Sequence, residues 1–119
     1  MGTSSRIGIV KSNKIVSIYV HLDGYYKGVG EFLLEHMKTE EKTQEFLSKG
    51  DRQSVENEEY YDGTIQVDVS LAAFLSSGLK QSCEFFYLME NGKWVATDSY
   101  PENGFFTFNP LETLVLKEE

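Results

Sequence analysis

The sequence predicts an α+β domain, an antiparallel β-sheet decorated by two to three short helices, with residues 1–119 as a single domain. Three observations predict it. The first residues, "RIGIVKS" and "KIVSIYVHL", are rich in β-branched residues. The middle holds short stretches of helical spacing with capping residues. The second half carries "CEFFYLMENGKWVATDS", two β-rich runs joined by Asn91-Gly92.

In chain order, the first two runs form strands joined as a hairpin at Ser12-Asn13-Lys14. "GYYKGVG" then breaks the pattern, and "VGEFLLEHM" puts Val29, Phe32, Leu33 and Met37 at helical spacing. Thr39 is placed to cap a second helix, with Glu40 and Glu41 in its first turn and Gly50 ending it. Residues 51–63 are polar and read as an exposed excursion closing in an Asp62-Gly63 turn. "TIQVDVS" alternates as a strand with Ile65, Val67 and Val69 on one face. "LAAFLSS", between Ser70 and Gly78, is ambiguous and reads as a short helix or a helical turn. Asn-Gly is the pair that a two-residue type I′ turn demands, because both positions need positive φ. A turn at Asn91-Gly92 sets Met89 opposite Trp94, Tyr87 opposite Ala96 and Phe86 opposite Thr97. Tyr100-Pro101 and Asn103-Gly104 mark a further turn, and "FFTF" ends the order as a strand.

Composition narrows the function. Nineteen acidic against eleven basic residues give a net charge of −8, which opposes binding to nucleic acid through phosphate contacts. There is no apolar run of membrane-spanning length, and "MGTSSR" lacks the apolar stretch of a signal peptide. The single cysteine, Cys83, has no internal partner and no cationic neighbour in "SCEFF". It therefore predicts a packed thiol and a reducing, cytoplasmic location. His21 and Asp23 offer one imidazole and one carboxylate at a strand end, His36 lies a helix away and there is no paired Cys/His spacing, so no metal site is expected. No nucleophile elbow and no Cys–His proximity is visible, and the carboxylates lie mainly in helical surface runs. No catalytic residue is assigned, and the protein is not expected to be an enzyme.

The densest chemistry lies in "HLDGYYKGVGEFLLEH". Its glycines make neither a P-loop nor a dinucleotide fingerprint. Free backbone N–H groups at a helix start, with Lys27 beside them, would nevertheless suit a small anion, and Tyr25 and Tyr26 would offer a stacking face. The plainer reading is a tight strand-to-helix turn with tyrosines closing the core edge. Both readings stand on the segment alone.

Three stretches together, "SRIGI…VSIYVHLDGYYKGVGEFLLEHM", a second helix ending "LSKGD", and "EFFYLMENGKWVA", resemble a family of small phage-encoded proteins, the first-described anti-Thoeris sponges. The resemblance runs from Ser5 to about Thr97, on structural rather than chemical motifs. It implies a phage counter-defence protein, acting in the host cytoplasm, that binds cyclic ADP-ribose isomers made by a TIR-domain defence without cleaving them. It also implies dimers or higher oligomers with pockets at subunit boundaries, and no cofactor. The ligand-binding residues implied here are Tyr25, Tyr26, Lys27, Arg52, Phe86, Asn91 and Trp94, with rings stacking on the aromatics. Such sponges would offer arginines to the phosphates; this chain has only Arg6 and Arg52, so Arg52 and Lys27 are the expected carriers. The alternative is an acidic inhibitor that binds a bacterial defence enzyme directly, in the manner of an anti-CRISPR. The run Phe85, Phe86, Tyr87, Leu88 puts bulky groups on both sheet faces, one of which would need a partner subunit, so a homo-oligomer is expected.

Overall fold

The computed structural model describes residues 2–56, 63–101 and 103–118. Among these residues six strands form one sheet in the order β3-β2-β1-β4-β5-β6. They are β1 (Ser5–Lys11), β2 (Lys14–Val20), β3 (Gln66–Asp68), β4 (Phe85–Glu90), β5 (Lys93–Asp98) and β6 (Asn109–Pro110). A π-helical turn, Tyr26–Gly30, leads into α1 (Glu31–His36), followed by α2 (Glu40–Leu47), α3 (Leu71–Lys80) and α4 (Leu111–Lys117). This is an α+β fold. One pairing departs from the expected antiparallel sheet: β1 and β4, at its centre, run parallel, with Arg6 opposite Phe86 and Ile9 opposite Met89. No helix among the described residues is long and apolar enough to cross a membrane.

The local signals hold where they are densest. Ser12 and Asn13 both take positive φ, and a two-residue turn sets Lys11 opposite Lys14. Asn91 and Gly92 do the same, with φ of 54° and 76°. The register that follows pairs Met89 with Trp94, Tyr87 with Ala96 and Phe86 with Thr97. Thr39 caps α2 by accepting the Lys42 N–H at 3.1 Å, and Ser70 caps α3 by accepting the Ala73 N–H at 3.1 Å. Gly50 follows α2 with φ of 91°, a conformation in which glycine carries no steric penalty.

Strand alternation sends side chains to both faces, and both are covered within the chain. One face carries Ile7, Ile9, Ile18, Val20, Tyr87, Met89, Trp94 and Ala96. Val29 and Leu33 from the first helical segment, Phe46 and Leu47 from α2 and Leu111 from α4 pack on it. The other face carries Ile15, Phe86 and Leu88 under Phe74 and Leu75 of α3, with Phe106 and Phe108 alongside. Phe86 is fully buried and Leu88 is 5% exposed, so the bare face that motivated the expected oligomer is filled by α3.

Other expectations are corrected. Gly78 does not end α3 but lies inside it, because a Cβ there would run into the Phe86 ring. Glycine lets the helix settle directly on β4. "FFTF" is not a strand; its phenylalanines Phe106 and Phe108 cover the α3 face, and the final strand is the two-residue β6. The helix α4 has no counterpart in the predicted order. The excursion at 51–63 begins buried rather than exposed, with Arg52 bridging Val20 and Val55 only 7% exposed. Asp62 of its closing turn lies outside the described residues. Most telling is β3, where Ile65, Val67 and Val69 do share a face but an exposed one, 38%, 56% and 74% respectively. Asp68 points inward instead, toward the buried Arg6.

Candidate functional site

Leaving β2, the chain turns sharply: Asp23 takes a positive φ, and its carbonyl accepts the Val29 N–H at 2.8 Å. The turn drops Tyr26 into the core, edge-on to Phe85 with ring centroids 4.9 Å apart. It leaves Tyr25 outside, its hydroxyl donating to Asp23 Oδ1 at 3.2 Å. The backbone donors expected to meet an anion at this helix start already hold one. Glu118, just beyond α4, accepts the Tyr26 N–H at 3.1 Å and the Lys27 N–H at 2.7 Å. The chain thus supplies its own carboxylate where a phosphate was expected. Replacing Glu118 by alanine should free both donors to solvent and speed their hydrogen exchange about tenfold, matching a lost charge-assisted pair of about 1.5 kcal/mol. Unchanged exchange at both amides would show that the clasp contributes nothing.

Two clefts flank this region and share Phe32, His36, Val55 and Glu56. The smaller, about 270 Å³, is lined by Tyr25 and Lys27 but also by Asp23, Glu31, Glu35 and Glu56. Four carboxylates against one lysine make it a poor host for an anion. The larger, about 750 Å³, lies between α1, α2 and the segment that follows Asp51, and is lined by Lys42, Lys49 and Arg52 with Glu45 and Glu56. Its aromatic wall is continuous. The His36 and Phe32 rings lie 5.0 Å apart, Phe32 and Phe46 5.7 Å, and the Arg52 guanidinium sits 4.5 Å over the Phe46 ring. Helical spacing builds it: Phe32 and His36 are four residues apart on α1, and Lys42, Glu45, Phe46 and Lys49 form one stripe at α2 and its C-terminal end. Arg52 itself is 3% exposed and forms the inner wall rather than the rim.

The expected site residues therefore separate. Tyr25 and Lys27 share the smaller cleft, and Arg52 lines the neighbouring one. Tyr26 is in the core, and Asn91 is exposed at the tip of the β4–β5 hairpin. Phe86 and Trp94 cannot form one stacking platform because they occupy opposite faces of the sheet. Phe86 faces α3, whereas Trp94 pairs with Met89 on the other face and donates its indole N–H to the Met37 carbonyl at 2.9 Å. Phe32, His36, Phe46, Lys42 and Lys49 were not anticipated as site residues. The spacing of Phe32 marked a core position, and lysines on a short helix look like a solvated face; only their shared stripe gives them away.

No family model, curated protein or solved structure matches this chain.

Proposed function

We propose that the protein is a phage counter-defence protein that captures a cyclic nucleotide second messenger of the cyclic ADP-ribose isomer type, in the host cytoplasm, and holds it without cleaving it. The resemblance motivates this reading, and one observation carries it: the larger cleft sets the row His36, Phe32, Phe46 beside Lys42, Lys49 and Arg52. Rings stack on aromatic faces, and phosphate oxygens take charge-assisted hydrogen bonds from lysine and arginine. Cleavage would need a positioned base, nucleophile or metal. Cys83 is no candidate nucleophile, being 2% exposed and on the α3 side of the sheet, away from the cleft. The homo-oligomer implied by the resemblance belongs to the same proposal, with the apolar face of the edge strand β3 as its surface. Light scattering at micromolar concentration that gives the monomer mass of 13.6 kDa would remove that element.

A thermal-shift screen against cyclic nucleotides and cyclic ADP-ribose isomers tests the main claim, since a ligand of the folded state raises the melting temperature by mass action. The ligand recovered by heating the loaded protein should be chemically intact and stoichiometric. Lys42→Ala and Lys49→Ala should each weaken capture by about one order of magnitude, the loss of one charge-assisted contact. Lys27→Ala, in the acidic cleft, should matter less. Hydrolysed product beyond one equivalent would establish an enzyme instead. Failure of every nucleotide would favour the acidic-inhibitor alternative.

A further inference from the structure

At the opposite edge of the sheet lies a third cleft, of about 330 Å³, between β5, the π-helical turn, α4 and the loop that precedes β6. Its floor is Ala96, its inner walls are Tyr26 and Leu114, and its rim carries Tyr100 and Phe105. Both rim rings are 74% exposed, so their faces are open to a ligand. Asp98 also lines the cleft, its carboxylate held by accepting the Tyr100 N–H on Oδ1 at 2.9 Å. The Tyr26 phenol registers the local field: burial first, then the charges of Asp98 and Glu118, raise its pKa. Among the described residues, neither lysine nor arginine lines the cleft.

Aromatic faces attract cations through the ring quadrupole, and a carboxylate at the same place adds a charge-assisted acceptor. An anion would meet Asp98 unopposed. A flat guanidinium suits the arrangement better than a compact ammonium, because it stacks on rings while donating in plane to the carboxylate. We propose that this cleft is a docking site for an arginine side chain presented by a basic protein partner, with Tyr100 and Phe105 as stacking faces and Asp98 as acceptor. The chain's net charge of −8 favours such a partner at long range. The site is independent of the nucleotide cleft, which lies among different residues, so either proposal can fail without the other.

The test is an NMR titration of the isotope-labelled full chain with a blocked Gly-Arg-Gly tripeptide, with the citrulline tripeptide and adenosine as comparison probes. The arginine peptide should shift the Tyr100, Phe105 and Asp98 resonances in a saturable way. Citrulline, which keeps the shape and loses the charge, should bind about tenfold more weakly, and Asp98→Asn should cost the same. Tyr100→Ala and Phe105→Ala should each weaken binding about two- to fivefold. Since both side chains are mostly exposed, those variants should fold, which an unchanged melting temperature verifies. Glu90→Gln makes the same charge change at the far end of the β4–β5 hairpin and should leave the affinity unaltered. Three results would overturn the proposal: no saturable shift with the arginine peptide, equal losses from Glu90→Gln and Asp98→Asn, or adenosine saturating these resonances as well as arginine does.

Discussion

Replacing Arg6 by alanine is expected to destabilise the protein by about 3–5 kcal/mol, the cost of breaking a buried charged network from one side. Arg6 is 1% exposed, yet its guanidinium is enclosed by partners. Its Nε–H donates to Ser17 Oγ at 2.9 Å, and Nη1 donates to Gln81 Oε1. Burial lowers its pKa, while the nearby Asp51 and Asp68 carboxylates favour its charge. Without it, Ser17 Oγ and Gln81 Oε1 lose their donor, and Asp68, itself 6% exposed, keeps its hydrogen bond from Gln66 at 2.8 Å but loses the nearby positive charge. Arg6→Met combined with Asp68→Asn should therefore cost less than the sum of the two single changes. Urea denaturation of the four proteins closes the cycle. A loss below about 1 kcal/mol for Arg6→Ala would show that this network does not hold the α3 face together.

Cys83 should resist alkylation until the protein unfolds, and should make the protein less stable in alkali. The thiol is 2% exposed, and burial pushes its pKa from 9.0 up to about 11, against the opposing pull of Arg6 and a hydrogen bond with Ser4. At pH 8 that shift alone lowers the thiolate fraction about a hundredfold. The sign for stability follows from the same shift. The folded state holds this proton more tightly than the unfolded chain does. The contribution is therefore whole below the unfolded value of 9.0 and is lost as pH rises through about 11. Its full size is about 2–3 kcal/mol. The buried phenols of Tyr26 and Tyr87 are raised too and will add alkaline sensitivity of their own. The comparison is therefore between the native chain and Cys83→Ala over that window. Parallel stability curves, or alkylation at the rate of a free thiol, would contradict the assignment.

What could be read from the sequence follows the range of the interactions involved. Turns and caps are local. Asn91-Gly92, Thr39 and Ser70 each act within four residues, and each appears where its chemistry placed it. The parallel pairing of β1 with β4 has no such signature, because it joins segments that share no turn and adjust only to one another. On β3 the local pattern holds, and a distant partner decides which way it faces. Ile65, Val67 and Val69 share a face as the alternation indicates, but that face is exposed, because inward Asp68 lies within the field of Arg6 and one residue of a strand cannot turn without turning all. The candidate site divides in the same way. Lys27, Arg52 and Tyr25 were singled out by their chemistry, yet only Arg52 lines the larger cleft, while the α2 stripe emerged only when α1 was laid against it. Phe86 and Trp94 were chosen as aromatics without regard to parity, although the hairpin register that separates them was itself legible.

The parallel join at the centre of the sheet also sets a timetable. The β1–β2 hairpin can close as soon as its own residues exist, but its inner edge must wait for residues 85–90, some eighty positions later. Until then a strand carrying Ile7, Ile9 and the charge of Arg6 stands open on the ribosome, with unpaired amides along its length. Loop closure over that span must precede any reward from the β1–β4 pairing, so the chain is expected to fold slowly for its size and to be most prone to aggregation before β4 arrives. A chain released early, or one in which β4 is weakened, would expose the strand that the finished protein hides most completely.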